Sequence, residues 1–318
     1  MSHTNIWCET DLETDDVFAI RVLQQRGFHI QYLVVGEANA CNKLKRVLTG
    51  HYFPLGDTVI VQGFDSKKEF PTDDSVPCAI GNNNELDLDI PQTSVESYKE
   101  ALIEYLSENE RPILVLLKPP RELLACLDEI ALDLIRKATV YMYGGFNIRT
   151  LLNENKGNNI YRRAFHKLFQ QLKDVYLYES FYATGQQNSV NCETMPTLYQ
   201  YMMEHSQSKY VKNLLNWTRL WNQHMLTESA KWKDVSERSM KIYNNIKDHL
   251  DFQMVLADQA LAVCIENKQL EPRDKVSIDW DDVGLTQLTQ LKSDNRTKVY
   301  LYRDLSWTEL ELYLLCLF

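Results

Sequence analysis

The sequence predicts an α/β architecture, doubly wound around a mostly parallel central sheet, with a helical C-terminal elaboration. Three observations carry this. Short β-branched or aromatic runs alternate with longer helical patterns through the first half of the chain. Several of those runs are apolar almost throughout, as strands covered on both faces must be. From residue 195 to about 269 the pattern becomes mostly helical, with no internal repeat and no linker. A single domain over residues 1–318 is therefore expected.

In chain order, strands are expected at residues 5–8, 30–35, 58–62, 113–117, 139–143 and 175–178, and a late strand at 299–302. Helices are expected at 15–25, 39–48, 95–108, 121–136 and 159–172. Residues 66–91, rich in Asp, Asn and Pro, read as a surface loop. Leu214, Trp217, Trp221 and Met225 recur at helical spacing, and such a stripe is a core face before it is a stacking platform for a base. Trp232 is a further aromatic that could stack on a base. In doubly wound sheets ligands bind beyond the carboxyl ends of the strands, so chemistry is sought there.

Composition narrows the function classes. The 318 residues are 44% hydrophobic and 25% charged, enough for a sizeable core. Lys and Arg total 34 against 44 Asp and Glu, a formal charge of −10, which disfavours nucleic acid as a partner. No run of 18 apolar residues and no secretory leader pattern appears, so no membrane association is expected. The 7 cysteines are scattered with no Cys-x-x-Cys pair, which suits reduced thiols in the cytoplasm. Dinucleotide and P-loop glycine motifs are absent, as are His-Glu-x-x-His and Gly-x-Ser-x-Gly.

The chemistry-bearing segment is Glu9-Thr10-Asp11-Leu12-Glu13-Thr14-Asp15-Asp16, directly after the first strand. Two like charges about 4 Å apart repel by roughly 4 kcal/mol at an effective dielectric near 20. A hard divalent cation removes that penalty, and calcium takes six to eight oxygen ligands. Two other readings stay open. Thr10 with Glu13 resembles a capping box at a helix start. An Asp-x-Asp phosphatase is the other, although Glu9 replaces its nucleophile. Cys8, beside the cluster, reads as a small buried side chain.

Asp11-x-x-x-Asp15-Asp16, with Glu9 two residues before, resembles the N-terminal signature of the inosine-uridine preferring nucleoside hydrolase family, Asp-x-Asp-Pro-Gly-x-Asp-Asp. Three further segments follow in that family's order. Val34-Val35-Gly36 is similar to its second-strand ending, with Glu37 where the family has Asn. Leu116-Leu117-Lys118-Pro119-Pro120-Arg121-Glu122-Leu123 is similar to Leu-Gly-Pro-Leu-Thr-Asn-Leu, and Ala257-Asp258-Gln259-Ala260-Leu261-Ala262-Val263 to His-Asp-Pro-Leu-Ala-Val. A weaker match is Tyr143-Gly144-Gly145-Phe146-Asn147-Ile148, set against Met-Gly-Gly and Glu-Phe-Asn-Ile. The matches span residues 5–263.

The resemblance implies a Rossmann-like nucleoside hydrolase fold and calcium-dependent hydrolysis of the N-glycosidic bond of a ribonucleoside or related ribosyl compound. It implies calcium ligands at Asp11, Asp16, Asp258 and the backbone carbonyl of Arg121, with Asp11 also the general base. Asp15 and Asn147 would hold the ribose hydroxyls, and Glu37 would add a carboxylate near the diol. The partner implied is a small-molecule ribosyl substrate, and a homo-oligomer is compatible with the family. Ala257 replaces the family's His, a candidate acid for the leaving base, and Gly145 replaces its ribose-gripping Glu. His166, His205, His224 and His249 are candidate replacement acids. A catalytically silent protein of this fold, binding a ribosyl ligand or a protein partner, is the alternative.

Overall fold

The computed structural model describes residues 4–12, 14–36, 55–64, 95–144, 168, 171–179, 189–206, 211–212, 215–216, 218–219, 222–223, 226, 254–256, 258–266, 274–281, 284–290, 298–302, 311 and 314–315. Six expected strands are present: β1 (Thr4–Thr10), β2 (Phe28–Val35), β3 (Val59–Gln62), β4 (Ile113–Leu116), β5 (Thr139–Gly144) and β6 (Asp174–Glu179). Four strands without a sequence expectation follow: β7 (Ser189–Val190), β8 (Met254–Val255), β9 (Asp274–Asp281) and β10 (Gly284–Gln290). The expected late strand is β11 (Lys298–Tyr302).

Nine strands form one sheet in the order β10-β9-β11-β6-β5-β4-β1-β2-β3, while β7 and β8 pair separately. Seven of the nine, from β11 to β3, run parallel. Only β9 and β10 are antiparallel additions, at the β11 edge. The chain leaves β1 outward through β2 to β3, then crosses back to β4 on the other side of β1. Strand order reverses there, so the carboxyl ends of β1 and β4 flank the crevice where such sheets bind ligands.

Strand alternation sends successive side chains to opposite faces, and the core divides accordingly. One face carries Cys8, Leu33, Val35 and Val115 under helix α1 (Thr14–Gln25). The other carries Trp7, Val34, Leu114 and Leu116 under helix α2 (Val95–Glu108). Trp7 lies 5.2–5.8 Å, centroid to centroid, from the rings of Tyr32, Tyr98 and Tyr105.

The helix expected over 121–136 is broken into α3 (Arg121–Cys126), a 3₁₀ turn (Leu127–Glu129) and α4 (Leu132–Ile135). Burial explains the break. Ile130 and Ile135 are both buried in the same core. In an unbroken helix they would point ~140° apart. Extended backbone at Ile130 brings both to the sheet.

Helices α5 (Pro196–Glu204) and α6 (Asp258–Glu266) follow, the first with Pro at its start. Between them Val211, Leu215, Thr218 and Asn222 are buried at helical spacing. The expected stripe at Leu214, Trp217, Trp221 and Met225 lies outside the described residues, as do Trp232, the helix at 39–48 and most of that at 159–172. Strand β8, paired with β7, interrupts the region read as helical, because two residues of strand leave no periodicity to read. Among the described residues no helix is long and apolar enough to cross a membrane.

Helix α1 ends where Gly27 takes φ +86, with its N–H bonded to the Gln24 carbonyl at 3.1 Å. A Cβ there would meet nothing, so the cost of substitution is conformational alone. Gly27→Ala should lower stability by about 1 kcal/mol, read as a shifted urea midpoint with unchanged slope.

Candidate functional site

The site is built at the end of β1, where Thr10 and Glu9 point to opposite faces of the sheet. Thr10 Oγ1 donates to Asp16 Oδ1 at 2.7 Å and accepts from the Leu12 N–H at 2.8 Å. One hydroxyl thus ties the strand end to the first turn of α1. Leu12 is fully buried with φ 55, a left-handed conformation costing roughly 1–3 kcal/mol for a residue with a side chain. Burying the leucine offsets that cost by about 2 kcal/mol. The family signature has Pro-Gly where this chain has Leu12-Glu13.

Asp11, Asp15, Asp16 and Asp258 meet here. Asp15, Asp16 and Asp258 each offer an oxygen, and these oxygens lie within 4.8 Å of one another. The Asp15 carboxyl is hydrogen-bonded to Asp258, and Asp16 to Asp11. Asp16 and Asp258 are buried and Asp15 is half-buried. Burial, then the Asp11 charge, raises Asp15 to about 6. Burial raises Asp16 as well, reinforced by the charges of Asp11, Asp258 and Asp15. Cys8 beneath them is pushed far up by burial, then by Glu9 and Asp258, so it stays a thiol.

Three converging carboxylates with a fourth alongside are a hard, all-oxygen donor set, which suits calcium or magnesium rather than a thiolate-seeking metal. The resemblance implies that Asp15 holds the ribose hydroxyls; its carboxylate also stands among the candidate cation ligands. Arg121 stands one strand away, as the first residue of α3 beyond β4. Glu37, Asn147 and Ala257 lie outside the described residues, as do His166, His224 and His249. His205 caps the end of α5, its ring stacked on Tyr201 at 3.8 Å.

On the opposite face of β1 lies a second polar cluster. Glu9 Oε1 accepts from Trp7 Nε1 at 3.0 Å and from the Tyr98 hydroxyl, and Glu9 Oε2 lies 3.5 Å from Lys118 Nζ. Lys118 Nζ also pairs with Glu122, whose other oxygen accepts from the Phe64 N–H at 2.7 Å. Burial raises the Glu9 carboxyl, and the Lys118 charge opposes that shift. Sequence reasoning passed over Thr10, Lys118 and Glu122 as site residues. The available signal was a lysine closing an apolar strand, with a glutamate four residues on.

A carboxylate whose folded pKa is raised adds stability below its unfolded pKa and loses it as pH climbs through the folded value. For Asp15 that window runs from the ordinary 3.8 to about 6. Metal-free protein should therefore lose on the order of 2–3 kcal/mol between pH 4 and 7.5 through this group. Calcium should restore the melting temperature at pH 7.5; a melting temperature that is flat with pH and indifferent to calcium overturns this. Asp16→Asn should raise the melting temperature of the metal-free protein at pH 7.5 while removing its response to calcium.

No protein-family model matches the sequence, and no curated protein matches it. Solved structures do. An inosine-uridine preferring nucleoside hydrolase from Bacillus anthracis aligns with TM-score 0.59 at 12% identity, over 99% of this chain and 98% of its own. An inosine-guanosine nucleoside hydrolase aligns with TM-score 0.59 at 13% identity, over 99% and 98%. A purine-preferring ribonucleoside hydrolase from Gardnerella vaginalis aligns with TM-score 0.60 at 12% identity, over 99% of both chains. The chain is thus similar to nucleoside hydrolases along its length, at the level of the fold.

Proposed function

We propose that this protein hydrolyses the N-glycosidic bond of a ribonucleoside or a related ribosyl compound, giving ribose and free base, with calcium as its cation. The observation that carries the reading is the meeting of Asp15 and Asp16 with Asp258, from far along the chain, beside the switch point. The fold shared with solved nucleoside hydrolases supports the same reaction class.

Asp11, Asp16, Asp258 and the Arg121 carbonyl would hold the cation, with Asp15 at its edge facing the ribose. Calcium held there would supply Lewis-acid activation of water and offset the clustered negative charge. Asp11 accepts the water's proton along a short hydrogen bond. Asp15 accepts from the ribose hydroxyls, and Glu37 and Asn147 are the further sugar contacts. As the glycosidic bond lengthens, positive charge grows on the ribosyl ring, as in glycoside hydrolysis generally. Preorganised carboxylates stabilise that charge without reorganising when it forms. Thr10 contributes by holding Asp16 in place. The chain acts in the cytoplasm on this reading.

Inosine, uridine, guanosine and adenosine form the test panel, assayed for free reducing sugar with calcium present. Asp11→Asn should lower kcat by about a thousandfold with calcium binding weakened rather than lost, in line with loss of a general base and ligand. Chelation should abolish turnover, and calcium should restore it. Ribose release that survives Asp11→Asn sinks the assignment of the base. Calcium binding with no turnover of any nucleoside would point instead to a ligand-binding protein.

A further inference from the structure

Helix α3 has only six residues and Pro120 at its start provides no side-chain cap, so its own hydrogen bonds do little to fix its position. Lys118 is instead buried between two carboxylates, Glu9 at the end of β1 and Glu122 in the first turn of α3. A fully buried lysine is rare unless paired, and here the pairing crosses between elements. We propose that Lys118 is a positioning residue that locks the turn at 119–121 against the end of β1, and so sets where the Arg121 carbonyl stands relative to Asp11 and Asp16. The inference rests on the calcium reading above for its functional meaning.

Lys118 and its two carboxylates together join β1, the turn after β4, α3 and the chain beyond β3. Glu9 belongs to β1, and its own carbonyl accepts from the Leu117 N–H at 2.9 Å. Lys118 Nζ lies 3.4 Å from the Pro119 carbonyl, which also accepts from the Arg121 N–H at 2.8 Å. Leu124 N–H then donates to the Pro120 carbonyl at 3.0 Å. Glu122 reaches across to the Phe64 N–H beyond β3. Room for it comes from two glycines: a Cβ on Gly36 would come 2.6 Å from Glu122 Oε1, and one on Gly63 would collide with it. Neither glycine has positive φ, so at these positions the absent side chain matters more than backbone freedom.

The coupling to the acidic cluster is short. Glu9, Thr10 and Asp11 are consecutive, Glu9 bound into the lysine network and Thr10 bound to Asp16. Movement of the strand end released by loss of Lys118 therefore shifts the cation ligands on the other face. Support of this kind beneath ligating groups governs affinity as well as fold.

The test is calcium titration calorimetry on metal-stripped wild type, Lys118→Met, Lys118→Arg and Glu122→Gln. Val299→Ala, in the same core but on β11, serves as a control for lost stability alone. Lys118→Met and Glu122→Gln should weaken calcium binding by about tenfold or more, with Lys118→Arg recovering most of it. The control, compared at a similar loss of melting temperature, should keep its affinity. Wild-type affinity in Lys118→Met, or an equal loss in the control, overturns the inference and leaves the proposed function standing. If wild type takes up no calcium, the proposed function falls, and amide exchange decides the positioning role. Faster exchange at Leu12, Leu117 and Leu124 in Lys118→Met than in the control supports it; equal exchange overturns it. Should Lys118→Met fail to fold, Glu122→Gln is read against the control in the same way.

Discussion

Repulsion among carboxylates that the fold forces together is the constraint around which this molecule is organised. Asp11, Asp15 and Asp16 come from one turn, and Asp258 arrives from a helix near the other end of the chain. Burial raises the cost of ionising Asp15 and Asp16, the Asp11 charge raises both again, and Asp258 and Asp15 raise Asp16 further. Such an arrangement survives only because the scaffold over-determines it. Seven parallel strands place the β1 end, Thr10 clamps Asp16, and a buried leucine holds the left-handed turn. Stability invested in the sheet is what allows a locally unfavourable cluster to exist.

The two faces of β1 handle charge in opposite ways. On one, Lys118 brings its own cation to Glu9 and Glu122, so the excess of negative charge is reduced internally. On the other, the charges of Asp11, Asp258 and Asp15 raise Asp16, while hydrogen bonds with Asp258 and the backbone lower Asp15 without cancelling its burial. A neutralised network supports structure, whereas an under-neutralised one in a crevice is suited to a cation or a developing positive charge. The alternation of a single strand separates the two roles by one residue.

Much of the sheet was legible in the sequence because parallel strands buried on both faces must be apolar throughout, as Ile113–Leu116 is. The carboxylates at 11, 15 and 16 stand out as an acidic run after the first strand, which a helix cap would equally explain; the order of motifs resembling one family singles them out and adds Asp258. What stayed hidden was decided by tertiary contact. No local pattern announces that Ile130 and Ile135 must share one face, or that β7 and β8, each two residues long, will find each other. The alternation of Val276, Ile278 and Trp280 carries a period-two signal for β9. Lys118 was masked by its context: a strand ending followed by two prolines reads as surface, and only its partners show it to be interior.

Because Asp258 opens α6, the acidic cluster is complete only when that helix is seated against α1. During synthesis, Asp11, Asp15 and Asp16 leave the ribosome long before their fourth companion, and at that stage their mutual strain is smaller and better hydrated. Docking α6 is the step that adds the last negative charge, so a cation that binds the finished cluster acts as a latch on the C-terminal half of the chain. A cation held there would thus tie the seating of α6 against α1 to the state of the acidic cluster.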